Sequence, residues 1–141
     1  MKLRVRAVDG LTYEKELRCL HDACFAEEAP LPTFVDGYWW LGLGPYGQLV
    51  GFAGMAASRR ILGWGYLNRT GVMPAYRGYG LHSKFIQVRE AKARKLGWEG
   101  LVTDTTDNNP SSNNLMTAGF KLYTPRRPWA FKNSLYWKKE F

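Results

Sequence analysis

The residues best equipped for chemistry lie between Thr70 and Phe85, in the run TGVMPAYRGYGLHSKF. An apolar strand ends at Val72-Met73, Pro74 breaks it, and Arg77-Gly78-Tyr79-Gly80 opens directly into a helix beginning around Leu81-His82. A helix start offers unpaired backbone N–H groups and the positive end of the dipole. Glycines let the backbone come close to a guest, and Arg77 adds a full charge. The expected guest is a phosphate or pyrophosphate. The dipole alone contributes about 0.3–1 kcal/mol, so several N–H donors and Arg77 must act together. Taken alone, the pattern is also that of a plain strand-to-helix connection. It is neither a GxGxxG dinucleotide fingerprint nor a GK[ST] phosphate loop.

The elements that must hold this turn can be read from the periodicity. Lys2 to Val8 alternates apolar and charged residues as a strand with one wet face. From Thr12, Tyr13, Leu17, Leu20 and Cys24 fall on one helical stripe. Glu27 to Asp36 reads as a loop or short helix. Three strands follow, Gly37 to Leu43, Gln48 to Ala57 and Ile61 to Met73. A long helix runs from about Gly80 to Leu96, closed by Lys92, Arg94, Lys95 and the stop at Gly97. Leu101-Val102-Thr103 is a short strand and Asn109 to Ala118 a second, shorter helix. Gly119 to Tyr123 and Ser134 to Glu140 are two last strands around a basic loop. A run of strands followed by alternation predicts a mixed sheet layered with helices, and the absence of repeats or linkers predicts one domain over residues 1–141.

Composition bounds the rest. With 141 residues and 45% hydrophobic residues the chain can bury a core. Lys plus Arg is 20 against 12 Asp plus Glu, a net charge of +8 that favours a polyanionic ligand. No apolar run approaches the ~18 residues of a membrane span, so no membrane association and a cytoplasmic location are expected. Cys19 and Cys24 then read as reduced thiols. His21 and His82 have no CxxC or HxxxH around them, so no metal site is expected.

The run Val72-x-Pro74-x-x-Arg77-Gly78-x-Gly80-Leu81 closely resembles the acetyl-CoA signature of the GNAT N-acetyltransferase superfamily. Arg77 and Gly80 match its first and fourth positions, while His82 stands where the family usually has Gly or Ala. Downstream, Asn108-Asn109-Pro110-Ser111-Ser112-Asn113-Asn114-Leu115-Met116-Thr117-Ala118-Gly119-Phe120 is similar to the family's Asn-bearing loop, fourth helix and closing Gly-Phe. Strand and helix order agree along the whole chain. The resemblance implies an α+β fold with α/β/α layers, its mixed six- to seven-stranded sheet splayed between strands 4 and 5, with helices on both faces.

The implied cosubstrate is acetyl-CoA. Pantetheine would pair with the fourth strand at Gly71 to Met73, through Val72 and Met73. The pyrophosphate would rest on Arg77, Gly78, Tyr79, Gly80, Leu81 and His82. Asn108 or Asn109 would hydrogen-bond pantetheine, the doubling leaving the register open. An acceptor amine would attack the thioester directly. A lysine-like amine with pKa ~10.4 is almost wholly protonated at pH 7, so a base is required near the splay. The family's usual Glu on the fourth strand is missing, and its Tyr on the fourth helix falls on Leu115 or Met116. The candidates left are Asp104, Glu27 or Glu28, Tyr123 as a displaced acid, and Asn68 as the holder of a water.

For the acceptor, the resemblance points to Glu27 to Asp36 and to Thr124 to Lys132. Glu27 would attract a cationic amine. Arg126, its neighbour Arg127 and Trp129 suit a carboxylate, phosphate or ring. Trp39-Trp40 sends one ring to each side of a strand, which offers Trp39 to the cleft, and Tyr66 shares the fourth-strand face with Asn68. The leading reading is an acetyl-CoA-dependent N-acetyltransferase acting on a small-molecule or peptide amine. A non-catalytic acyl-CoA-binding module is the alternative. Nucleic acid is left open as a partner by the basic surplus, without a recognised RNA- or DNA-binding signature.

Overall fold

The computed structural model describes residues 1–25 and 29–141. The elements run β1 (Arg4–Val8), α1 (Glu14–Cys24), β2 (Tyr38–Leu43), β3 (Leu49–Ala57), β4 (Gly65–Val72), a 3-10 turn (Pro74–Tyr76), α2 (Leu81–Lys95), β5 (Gly100–Thr105), α3 (Asn109–Thr117), β6 (Lys121–Tyr123) and β7 (Leu135–Glu140). The described residues place seven strands in one mixed sheet, ordered β1-β2-β3-β4-β5-β7-β6. The β4–β5 pair is parallel, and β1–β2, β2–β3, β5–β7 and β6–β7 are antiparallel. This is the α+β fold with a mixed sheet that the sequence led us to expect.

Packing divides the chain into two compact units, residues 1–56 with 68–85, and residues 57–67 with 86–141. In the first, α1 lays Leu17 and Leu20 on Phe34, Trp39, Leu41 and Phe52, with Tyr13 and Cys24 half-buried against them. The helical stripe read from the sequence is thus the core face. Trp39 corrects one expectation. It is 1% exposed, and its indole donates to the Asp36 carbonyl at 2.8 Å, so it packs the core and lines no cleft. Alternation misleads because Trp39, Trp40 and Leu41 are all buried, as in a strand covered on both faces.

Two glycines fix the approach of α2 within this unit. Gly42 and Gly51 face each other across β2 and β3. A Cβ on Gly42 would fall 2.8 Å from Leu81 Cδ2, and one on Gly51 would fall 2.7 Å from the Gly71 carbonyl oxygen. The first turn of α2 therefore rests almost on backbone, directly behind the Arg77–Gly80 turn. Gly51→Ala pushes on a neighbouring backbone that cannot rotate away. It should cost about 1–3 kcal/mol by overpacking, read as a lower urea midpoint at unchanged slope.

In the second unit β4 begins at Gly65, later than the Ile61 expected. Ser58 Oγ accepts the N–H groups of Arg60 and Ile61, and Ser58 N–H donates to Trp64 O. Gly63 takes φ +80°, and Leu62 is 98% exposed. Apolar residues at 61–62 mimic a strand but build a turn tip. β4 pairs with β5 at Gly65–Leu101 and Tyr66–Val102, and the next carbonyl, Leu67 O, takes the Thr103 hydroxyl instead.

Both helix exits in this unit use the same device. Gly97 N–H bonds Arg94 O and Trp98 N–H bonds Ala93 O after α2; Gly119 N–H bonds Met116 O and Phe120 N–H bonds Leu115 O after α3. This is the Schellman closure, with the glycines at φ +80° and +96°. The closing Gly119-Phe120 of the sequence motif is the second of these. A buried chain, Trp137 Nε1 to Thr105 Oγ1 to Ser112 Oγ at 2.9 and 3.0 Å, ties α3 to β5 and β7.

Candidate functional site

The Arg77–Gly80 turn lies in the first unit. Gly78 and Gly80 take φ +84° and +82°, and nothing lies within 4 Å of where either Cβ would stand. Glycine is thus required by conformation, with open space above it. Arg77 to Gly80 are exposed, Leu81 is buried beneath, His82 is half-buried, and no acid occupies the first turn of α2. Arg77 Nε donates to Val72 O at 3.1 Å, so the exposed Arg77 is tethered to the end of β4. Met73 N–H is committed to Val50 O. The turn is anchored from behind by Gln48 Nε2 on the Tyr76 hydroxyl at 3.2 Å. Open space, left-handed glycines, an exposed guanidinium and a first turn of α2 without acids fit a pyrophosphate.

Two cations further along α2 are occupied or hidden. Lys84 Nζ donates to Leu3 O at 2.6 Å. Arg89 is 2% exposed, and burial pushes its pKa down to about 9. Asn68 turns its Oδ1 to the N–H of Arg69, and Asn108 caps α3 by accepting from Ser111 N–H, with Asn109 exposed beside it.

The second unit gathers several of the remaining candidates around Asp104. Asp104 Oδ2 accepts from the Tyr66 hydroxyl at 2.8 Å and from Trp129 Nε1 at 2.9 Å, and no described residue donates to Oδ1. Tyr66 reaches it because the parallel register sets Tyr66 beside Val102, two residues before Asp104 and on the same face of β5. Asp104, Tyr136 and Tyr123 form one row across β5, β7 and β6, with Tyr136 opposite each of the others. Tyr123 is half-buried, and burial first, then Tyr136 and the Asp104 charge, raise its pKa. It keeps its proton above the ordinary tyrosine range, as an acid must.

Tyr136 organises the loop that the sequence marks by Arg126, Arg127 and Trp129. Its ring meets Trp129 edge-on at 4.5 Å and its hydroxyl accepts from Ala130 N–H at 2.9 Å. Its role depends on β7 register, which no local motif announces. Beside this cluster lies a cavity of about 640 Å³ lined by Tyr123, Arg126, Arg127 and Trp129, together with Arg59 and Arg60 from the β3–β4 turn. Glu27 and Glu28 lie outside the described residues.

One buried group makes a testable statement about stability. His21 is 1% exposed and stacks on Phe25 at 4.8 Å, and among the described residues neither ring nitrogen has a hydrogen-bond partner. Asp22 Oδ1 stands 3.6 Å away, too far for one. Burial, and then the charge of Arg69, lower its pKa. Between the folded value and the unfolded ~6.5 the unfolded chain binds more protons, so stability is full above that range and lost as pH falls through it. The melting temperature should drop between pH 7.5 and 5.5, and His21→Leu should abolish the drop.

The chain belongs to the acetyltransferase (GNAT) family, whose profile matches residues 8–120. No curated protein matches the sequence. Among solved structures it is similar to a Bacillus subtilis acetyltransferase in complex with CoA, at TM-score 0.77 and 13% identity, covering 99% of both chains. It is similar to a proposed streptothricin acetyltransferase from Bacillus anthracis in complex with acetyl coenzyme A, at 0.74 and 14%, covering 100% of this chain and 99% of that one. The ribosomal-protein-S18-alanine N-acetyltransferase from Escherichia coli matches at 0.73 and 12%, covering 99% and 94%. These likenesses establish the fold.

Proposed function

We propose that the chain is an acetyl-CoA-dependent N-acetyltransferase, acting by direct attack of a primary amine on the thioester in a ternary complex. The observation that carries this is the Arg77–Gly80 turn, with two left-handed glycines open above and a tethered arginine beside them, in a chain of an acetyltransferase family. Bound acetyl-CoA supplies an activated acetyl group. Arg77 and the N–H groups from Gly78 to His82 hold the pyrophosphate, and Val72 and Met73 meet the pantetheine arm.

Asp104 receives the amine's proton. Tyr66 and Trp129 fix Oδ2, so Oδ1 is the oxygen free to face an ammonium. As the N–C bond forms and the C–S bond breaks, nitrogen loses a proton and sulfur must gain one. Tyr123, held protonated, donates it and is restored through solvent. The whole chain acts as one acetyltransferase domain.

The test is calorimetric titration with acetyl-CoA and CoA, followed by a thiol-release assay across a panel of primary amines. Micromolar binding with amine-dependent CoA release supports the reading. Tight binding with no release from any amine supports a non-catalytic acyl-CoA module, which the lack of any acid in β4 would suit. No binding would sink both.

A further inference from the structure

The cavity beside Asp104 has a composition that the acetyl-transfer reading does not call for. Four arginines line it, Arg59 and Arg60 from the β3–β4 turn and Arg126 and Arg127 from the β6–β7 loop, and no acidic residue does. Among the described residues none of the four forms an ion pair. Arg60 is the one with a seat, its guanidinium 5.5 Å from the centre of the Trp129 ring. Four guanidiniums around one space repel each other and any free ammonium ion. An oxyanion relieves that repulsion, and the arginine fork matches carboxylate or phosphate geometry.

The cavity also touches the proposed chemistry. Tyr123 and Trp129 belong to its lining, and Trp129 Nε1 is bonded to Asp104. Tyr123 is the member of the Asp104–Tyr123 row in the lining, so a ligand held by the arginines also meets that row. About 640 Å³ suits a small molecule. A simple cationic amine would be turned away, whereas an amine that also carries an oxyanion would be oriented.

We propose that this cavity selects the acceptor, and that the acceptor is a small primary amine bearing a carboxylate or phosphate group held by Arg59, Arg60, Arg126 and Arg127. The inference rests on the N-acetyltransferase reading for its turnover arm, and its binding arm does not depend on that reading.

The probes are matched pairs: O-phosphoethanolamine against ethanolamine, and 4-(aminomethyl)benzoate against its amide. CoA release should favour at least one anionic member by tenfold or more in kcat/KM, and which pair shows it separates phosphate from carboxylate. In Arg126→Ala/Arg127→Ala, KM for the anionic amine should rise about tenfold and KM for its partner without the oxyanion should hold or fall, while the acetyl-CoA KM is unchanged. Equal use of both members, or a variant defect confined to acetyl-CoA, overturns the proposal and leaves the acetyltransferase standing. Should no probe turn over, the Trp129 indole N–H resonance, assigned with Trp129→Phe, decides. A shift with the anionic member alone, lost in the arginine variant, supports the anion site even as the catalytic reading falls. No shift, or a salt-sensitive shift with an oligonucleotide and none with the small anions, overturns it.

Discussion

Asp104→Asn should lower kcat by about 10²–10⁴-fold, the usual contribution of a positioned proton acceptor, while the Kd for acetyl-CoA stays within twofold. Asparagine is nearly isosteric, and its carbonyl can still take the Tyr66 and Trp129 donors, so the cluster should keep its shape. What vanishes is the charge and the ability to accept a proton. The pH profile adds a signature. With the Tyr123 pKa raised, its deprotonation cannot cut activity until above the ordinary ~10. Between pH 7 and 9 the rate should therefore climb as more of the amine is neutral, with no alkaline decline. Single-turnover acetyl transfer across that range checks both statements. Unchanged kcat in Asp104→Asn would remove Asp104 from the mechanism.

The second large effect belongs to the anion turn. Arg77→Ala/Gly80→Asp should weaken acetyl-CoA binding by about 10²–10³-fold or more. A charge-assisted hydrogen bond is worth roughly 1.5–3 kcal/mol. Forcing a non-glycine residue into the left-handed region at Gly80 costs about 1–2 kcal/mol, strain that the chain escapes by giving up the bound shape. The two together correspond to that loss in affinity, before any repulsion between the new carboxylate and the phosphates. Open space around Gly80 means the fold itself should tolerate the change. Calorimetry gives the affinity and a melting curve the stability. Binding within threefold of the native protein would mean that the cofactor sits elsewhere.

Legibility followed the range of the interactions. The Arg77–Gly80 turn and the Gly119-Phe120 closure could be read directly, because each depends on a few consecutive residues whose backbone angles only glycine takes easily. Asp104, Tyr123, Tyr66, Arg126 and Trp129 could be named individually, but nothing local said that Tyr136 would set the first two in one row. Arg59 and Arg60 were missed as lining residues because the β3–β4 turn meets the β6–β7 loop only in three dimensions. Trp39 and the start of β4 were misread for a shared reason. Apolar character suggests burial or a strand, but it does not tell a doubly covered strand from a one-sided one, nor an apolar turn tip from a strand end.

The buried chain from Trp137 through Thr105 to Ser112 starts from a fixed donor. An indole nitrogen can only give a proton, so Thr105 must receive at that end, while either hydroxyl can supply the proton between Thr105 and Ser112. The rotation of α3 about its axis is, in effect, dictated from another strand, as a keyed shaft takes its angle from the slot it enters.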